Sequence, residues 1–145
     1  MELTRRNLGA MCAGVVAAAA LAGKSGLAFA AEDNGTAAAI QAFTGGAAVA
    51  EGGVTIGAPE IAENGSTVPI EVNADGADAI MILASANPNA GVATFEFSTL
   101  SGSSSAATRI RLAKTQDVIA VARMADGSFS MAKRQIKVTI GGCGG

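Results

Sequence analysis

Val68-Pro69-Ile70-Glu71-Val72-Asn73, followed after a short interval by Ile80-Met81-Ile82-Leu83, decides how the chain folds. In the first segment apolar residues recur at every second position, the period of a strand with one buried face. In the second they run without interruption, as in a central strand covered on both sides. The same two patterns repeat along the chain. Val54 and Ile56 alternate with Thr55 and Gly57, and Phe95 and Phe97 alternate with Thr94, Glu96 and Ser98. Ile136, Val138 and Ile140 alternate with Lys137 and Thr139, while residues 118–121 form a second continuous apolar run. Asn64-Gly65 and Asp126-Gly127 fall between such runs and predict two hairpin turns, because both pairs tolerate positive φ. Residues 101–106 are rich in serine and predict a surface loop. About seven strands result, the pattern of an all-β, immunoglobulin-like β-sandwich. Ahead of them Thr36, the alanine-rich stretch to Phe43 and Gly45 predict one short helix, with Thr36 as its N-cap and a glycine stop.

The 145 residues suit one domain, and 50% hydrophobic with 3% aromatic content means a core of Val, Ile, Leu, Met and Ala. Phe95, Phe97 and Phe129 are the large fillers. Histidine is absent from the whole chain. That removes the commonest general base and the commonest metal ligand, and with them histidine triads and histidine-ligated zinc or haem.

Residues 1–30 predict an export leader that takes no part in the fold. Arg5 and Arg6 precede an apolar run, and Ala28-Phe29-Ala30 fits the small-x-small cleavage rule. The context Thr4-Arg5-Arg6-Asn7-Leu8 is that of a twin-arginine signal, which implies a bacterial periplasmic address. Gly23, Lys24, Ser25 and Gly26 interrupt the apolar run before it reaches the ~20 residues of a membrane span, so no membrane association is expected after cleavage. Cys12 follows Met11 rather than a small residue and reads as leader filler, not a lipoprotein site. Cleavage leaves eleven acidic and seven basic side chains, a balance that argues against nucleic acid as a partner. Residues 31–100 carry nine acids and no base, whereas residues 101–145 carry seven bases and two acids. Scattered solvated charges and a functional cationic patch are both open readings of that asymmetry.

Gly141-Gly142-Cys143-Gly144-Gly145 places one thiol between glycine pairs. With Cys12 removed it is the only cysteine, so an intrachain disulfide is excluded. Glycine supplies no side chain and allows the widest backbone range, so residues 141–145 are expected to form a thin, flexible arm on a domain of residues 31–140. An ordinary cysteine is only a few per cent thiolate at neutral pH, and the tail contains no His or Lys to raise that fraction. Such a thiol suits presentation to other enzymes better than independent catalysis.

These residues resemble the SoxY family, the carrier subunits of bacterial thiosulfate oxidation. The resemblance rests on the twin-arginine leader, on Pro59-Glu60-Ile61-Ala62-Glu63-Asn64-Gly65 leading to Val68-Pro69, and on Asn87-Pro88-Asn89. It rests most specifically on Arg109-Ile110-Arg111-Leu112-Ala113-Lys114-Thr115-Gln116-Asp117-Val118 and on the Gly141 to Gly145 tail. Ala90 departs from the family, which often has Pro there. The resemblance implies that Cys143 is the covalent attachment point for sulfur intermediates, that no other cofactor is bound, and that the chain is not itself an enzyme. It implies a SoxZ-like subunit as heterodimer partner, and a cytochrome, a manganese hydrolase and a sulfur dehydrogenase that act on the carried sulfur in turn. Two other readings are a soft-metal binder using Cys143 with Met81, Met124 or Met131, and an interaction domain indifferent to its tail.

Overall fold

Residues 34–142 are described by a computed structural model; the leader with Arg5, Arg6 and Cys12, and the tail positions Cys143, Gly144 and Gly145, lie outside the described residues. The chain enters through α1 (Thr36–Thr44). Nine strands follow: β1 (Val49–Glu51), β2 (Thr55–Gly57), β3 (Ile61–Asn64), β4 (Val68–Asn73), β5 (Ala77–Ala84), β6 (Gly91–Glu96), β7 (Ser105–Ile110), β8 (Gln116–Met124) and β9 (Phe129–Ile140). One sheet has the order β1-β9-β8-β5-β6, with β3 added to β9, and a second has the order β2-β4-β7. The immunoglobulin-like sandwich is therefore present, with nine strands among the described residues rather than about seven. The additional ones are short, and three residues such as Val49–Glu51 are too few to display a period.

Strands β5 and β8 carry the two continuous apolar runs and lie in the middle of the larger sheet. Ile80, Ile82, Val118, Ala120 and Ile136 point toward the smaller sheet and pack against Val68, Ile70, Val72 and Leu112. Met81, Leu83, Ile119, Val121 and Met131 point the other way and are covered by Ala39, Ile40 and Phe43 of α1. Phe43 meets Phe129 edge-on, with ring centroids 6.0 Å apart. Both faces of the central strands are thus dry, which is what permits an uninterrupted apolar sequence.

Three local expectations change. Thr36 is the first helical residue rather than the cap: Gly35 holds the N-cap position with φ 89° and no side-chain cap bond. The Asn34 side-chain oxygen instead accepts from the Thr36 amide at 3.3 Å and from its hydroxyl at 2.5 Å. Asn64-Gly65 is not a hairpin, because β3 pairs with β9 whereas β4 pairs with β2 and β7. It is a corner between sheets, and Gly65 is absent from the positive-φ positions. The serine-rich loop ends earlier than its composition suggests, since Ser105 and Ala106 pair with Asn73 and Val72. The other two turn signals hold. Gly45 ends α1 at φ 64°, and Asp126-Gly127 joins β8 to β9 with Gly127 at φ 84°. There the Asp126 carboxylate accepts from the Ser128 hydroxyl and amide, which holds its pKa below the ordinary value.

Ile82 is fully buried and Leu100 is 94% exposed on the β6–β7 loop. Ile82→Ala is expected to lower unfolding free energy by about 2–5 kcal/mol, and Leu100→Ala to leave it within about 0.5 kcal/mol; chemical denaturation of the two variants checks both.

Candidate functional site

Cys143 directly follows Gly142, so the described part of the site is the set of residues that hold Gly141 and Gly142. The two glycines are not spacer. Gly142 is buried, and its amide donates to the Leu112 carbonyl at 2.9 Å. The Leu112 amide donates to the Gly65 carbonyl at 2.7 Å, and the Gly65 amide donates to the Ile140 carbonyl at 2.7 Å. Only Gly141 separates Ile140 from Gly142 in the chain, so these three bonds close a ring. The ring joins the end of β9, the β3–β4 corner and the β7–β8 loop.

Side chains would destroy it. A Cβ on Gly65 would overlap the Leu112 carbonyl oxygen and lie 2.8 Å from Val138 Cγ1 and 2.9 Å from the Gly142 nitrogen. On Gly141 it would overlap the Ala113 carbonyl oxygen, and on Gly142 it would lie 2.9 Å from the Gly65 oxygen and 3.1 Å from Ser66 Cα. Close backbone approach, rather than conformational freedom, is what these positions require of glycine. The expected flexible arm over residues 141–145 is corrected at its base: Gly141 and Gly142 are seated on the domain. Gly144 and Gly145, the other expected arm glycines, lie outside the described residues, as does Cys143.

The β7–β8 loop is itself held from behind by two buried amides, Asn87 and Gln116, each about 5% exposed or less. Asn87 Nδ2 donates to the Arg111 carbonyl at 2.7 Å, and Asn87 Oδ1 accepts from the Ala113 amide at 2.9 Å and from Gln116 Nε2 at 2.8 Å. Gln116 Nε2 also reaches the Lys114 carbonyl at 3.0 Å, while its Oε1 accepts from the Ala86 amide at 2.8 Å. Loop residues 111, 113 and 114 are therefore pinned at their backbones. The Thr115 hydroxyl accepts from the Val138 amide at 2.9 Å and ties the loop to β9 as well. Ala90, at the end of the segment that carries Asn87, is buried, and its carbonyl accepts from Ala84 at 2.9 Å.

Asn87, Gln116 and Gly65 had no assigned role in the sequence beyond a motif or a turn. The available signal was two side-chain amides, Asn87 in its Asn-Pro-Asn stretch and Gln116 two residues ahead of an apolar run; it marks a buried polar pair only once the fold brings residues 87 and 116 together. The methionines of the metal reading do not converge on one side of the large sheet. Met81 and Met131 are core residues on the helix side of the large sheet, and Met124 packs on the sandwich side. Among the described residues no group of three or more Cys, Asp or Glu could hold a metal ion. Of the seven bases of residues 101–145, Arg109 lies on β7, Arg111 and Lys114 on the β7–β8 loop, and Lys133, Arg134 and Lys137 on β9. Arg123 pairs with Asp78 at 2.7 Å, at the far end of β8 from Gln116. No helix among the described residues is long and apolar enough to cross a membrane.

The family model of the sulfur oxidation protein SoxY matches residues 40–143. Among solved structures, the sulfur carrier protein SoxY from Chlorobium limicola f thiosulfatophilum is 36% identical, with a TM-score of 0.64, over 72% of this chain and 96% of that one. A superoxide reductase (neelaredoxin) from Ignicoccus hospitalis is 15% identical, with a TM-score of 0.53, over 60% of this chain and 80% of that one, a likeness of fold alone. No curated protein matches the chain.

Asn87→Ala is expected to leave the Ala113 amide and the Arg111 carbonyl without their partners, at a cost of about 1–3 kcal/mol for each group left unsatisfied. Thermal unfolding checks the loss. Hydrogen exchange should place the added opening in residues 111–115 rather than in β5 or β8.

Proposed function

From the premise that the chain belongs to the SoxY family of sulfur carrier proteins, we propose that it holds thiosulfate-derived sulfur covalently on Cys143 and presents it to sulfur-oxidising enzymes in the periplasm. The observation that carries this reading is the seated glycine root. It leads straight into Cys143, which the proposed leader cleavage would leave as the one cysteine. Glycine pairs flank that cysteine in the sequence, and the chain contributes no histidine that would let the thiol act alone.

The chemistry asked of Cys143 is sulfur–sulfur bond formation. A haem partner removes two electrons as the thiolate joins the outer sulfur of thiosulfate, giving a cysteine S-thiosulfonate. Hydrolysis by a metal-dependent partner adds water across the outer S–S bond, releases sulfate with two protons, and leaves a persulfide on the cysteine. A dehydrogenase partner then oxidises that sulfur further. In each step the carrier supplies the attachment atom and the partner supplies the electron sink or the base. The chain is thus a non-catalytic subunit with no resident cofactor besides the sulfur on Cys143.

A SoxZ-like subunit is the proposed companion. Strands β6 and β7 each pair on one edge only among the described residues, and Leu100 stands exposed on the loop between them. Open edges beside an exposed large apolar residue are the features a second subunit covers. Export through the twin-arginine route would carry both chains folded together, with Arg5 and Arg6 as the recognition pair.

Cys143→Ser is expected to abolish thiosulfate-dependent turnover in the reconstituted system while leaving the melting temperature unchanged within about 2 °C, since serine replaces one atom of the side chain with a smaller one of the same geometry. Intact mass of the wild-type chain from cells grown on thiosulfate should show sulfur adducts that reductant removes and the Ser variant lacks. Retained turnover by Cys143→Ser would falsify the carrier reading. Replacing Arg5 and Arg6 together by Lys is expected to retain the protein in the cytoplasm with its leader intact; normal export of that variant would remove the twin-arginine assignment.

A further inference from the structure

A carrier of this kind is pictured most simply with a thiol on a loose tether, and the residues before Cys143 do not fit that picture. Gly141 and Gly142 are packed against backbone with no room for a methyl group. The ring through Ile140, Gly65, Leu112 and Gly142 contains three hydrogen bonds of 2.7, 2.7 and 2.9 Å. Two of its contributors are loops that must be held in place for the ring to exist. The β3–β4 corner is fixed by the Asn64 side chain, whose oxygen accepts from the Ser66 amide at 2.9 Å. The β7–β8 loop is fixed by the fully buried Leu112 and by the Asn87–Gln116 pair. None of these groups is a nucleophile, an acid or a base, and none touches a reacting atom. Their shared consequence is that the chain reaches Cys143 from one defined point.

We propose that this ring is a root clamp that fixes the point from which Cys143 is offered to a partner enzyme, with Gly65, Gly142, Asn87 and Gln116 as positioning residues for the sulfur-transfer steps. The proposal rests on the carrier reading of Cys143. Its physical content is preorganisation: a tether fixed at its base has fewer conformations to lose when a partner closes around the thiol. Each residue released from the clamp must be ordered again on docking, which costs roughly a factor of ten in affinity per residue. The clamp therefore acts on how well partners capture the loaded carrier and leaves the chemistry of the captured sulfur alone.

The decisive variant is Gly65→Ala, because it lies in a different strand connection and leaves Gly141 to Gly145 unaltered. Gly142→Ala attacks the same ring from the tail side, and Gly144→Ala serves as a tail substitution outside it. Full mature chains, with their partner subunit, are compared by three measurements. These are amide exchange at Leu112 and Gly142, alkylation of Cys143 by a small neutral reagent, and steady-state turnover of the thiosulfate-loaded chain by the hydrolytic partner. Gly65→Ala and Gly142→Ala are expected to lose amide protection at both positions while the centres of β5 and β8 stay protected. Alkylation should be as fast as in the wild type or faster. The KM for the carrier should rise about tenfold with kcat changed less than about twofold, the signature of lost binding rather than lost chemistry. Gly144→Ala should leave amide protection at Leu112 and Gly142 unchanged.

Unprotected amides at Leu112 and Gly142 in the wild type overturn the clamp itself. Loss of protection with an unchanged KM overturns its positioning role. If Gly65→Ala unfolds, which exchange at β5 and β8 reveals, Gln116→Ala replaces it as the second test from outside the tail, with the same expected rise in KM. The carrier reading fails separately, through turnover by Cys143→Ser, and the exchange result for the ring stands in either case.

Discussion

Strand β9 is held along both edges, and the position of the tail follows from that. Its first eight residues pair antiparallel with β8. Along the opposite edge β1 pairs in parallel with its beginning and β3 with its end. A strand end left without a neighbour frays, because each backbone bond contributes only about 0.5–1.5 kcal/mol net and water replaces it readily. Here β3 takes over where β8 stops, at Ile136, so the ladder continues through Ile140. The chain segment between β1 and β3 crosses to the smaller sheet to form β2, and the two sheets are thereby joined around β9.

Most of this architecture is legible in the sequence, for a physical reason. The strands with six or more residues have burial patterns set by which faces are covered, and burial dictates hydrophobicity. Alternation in Val68–Asn73 and continuity in Ala77–Ala84 therefore survive as readable periods. What stays hidden is pairing. Nothing in Asn64-Gly65 distinguishes a hairpin from a corner between sheets, because both need a tight turn of small polar residues; the difference lies in partners more than seventy residues away on β9. Glycine itself carries no record of why it is there. Gly127 is glycine for its positive φ, and Gly65 is glycine because another backbone occupies the place of its side chain. The cysteine and its flanks were plain in the sequence, but the seating of Gly141 and Gly142 was not, since every atom they contact belongs to a distant loop.

Asn87 and Gln116 show why polar groups persist beneath that loop. Apolar side chains of similar size would fill the volume and remove the need to satisfy two buried amides. They would not fix the backbone at residues 111, 113 and 114, because dispersion contacts are non-directional and a loop can slide over them. Carboxamides combine donor and acceptor on one rigid plane, so Asn87 can bind a carbonyl and an amide of the same loop at once. The gain is geometric definition, and the fully satisfied network keeps the desolvation cost low.

Under the proposed carrier function, anchoring at the root and glycine around a thiol serve different requirements of the carried group. A sulfur that passes between enzymes must enter clefts of different shape, which favours a narrow segment without side chains beside it. It must also be found, and a tethered group is found at an effective concentration set by the volume over which its tether lets it roam. Lengthening the free segment enlarges that volume and dilutes the group; fixing the segment at its base reverses the dilution without adding bulk near the sulfur. Glycine meets both requirements at once, because the missing side chain that lets Gly142 approach the Gly65 backbone also leaves the residue before Cys143 slender. Any larger residue at that position would trade one property against the other.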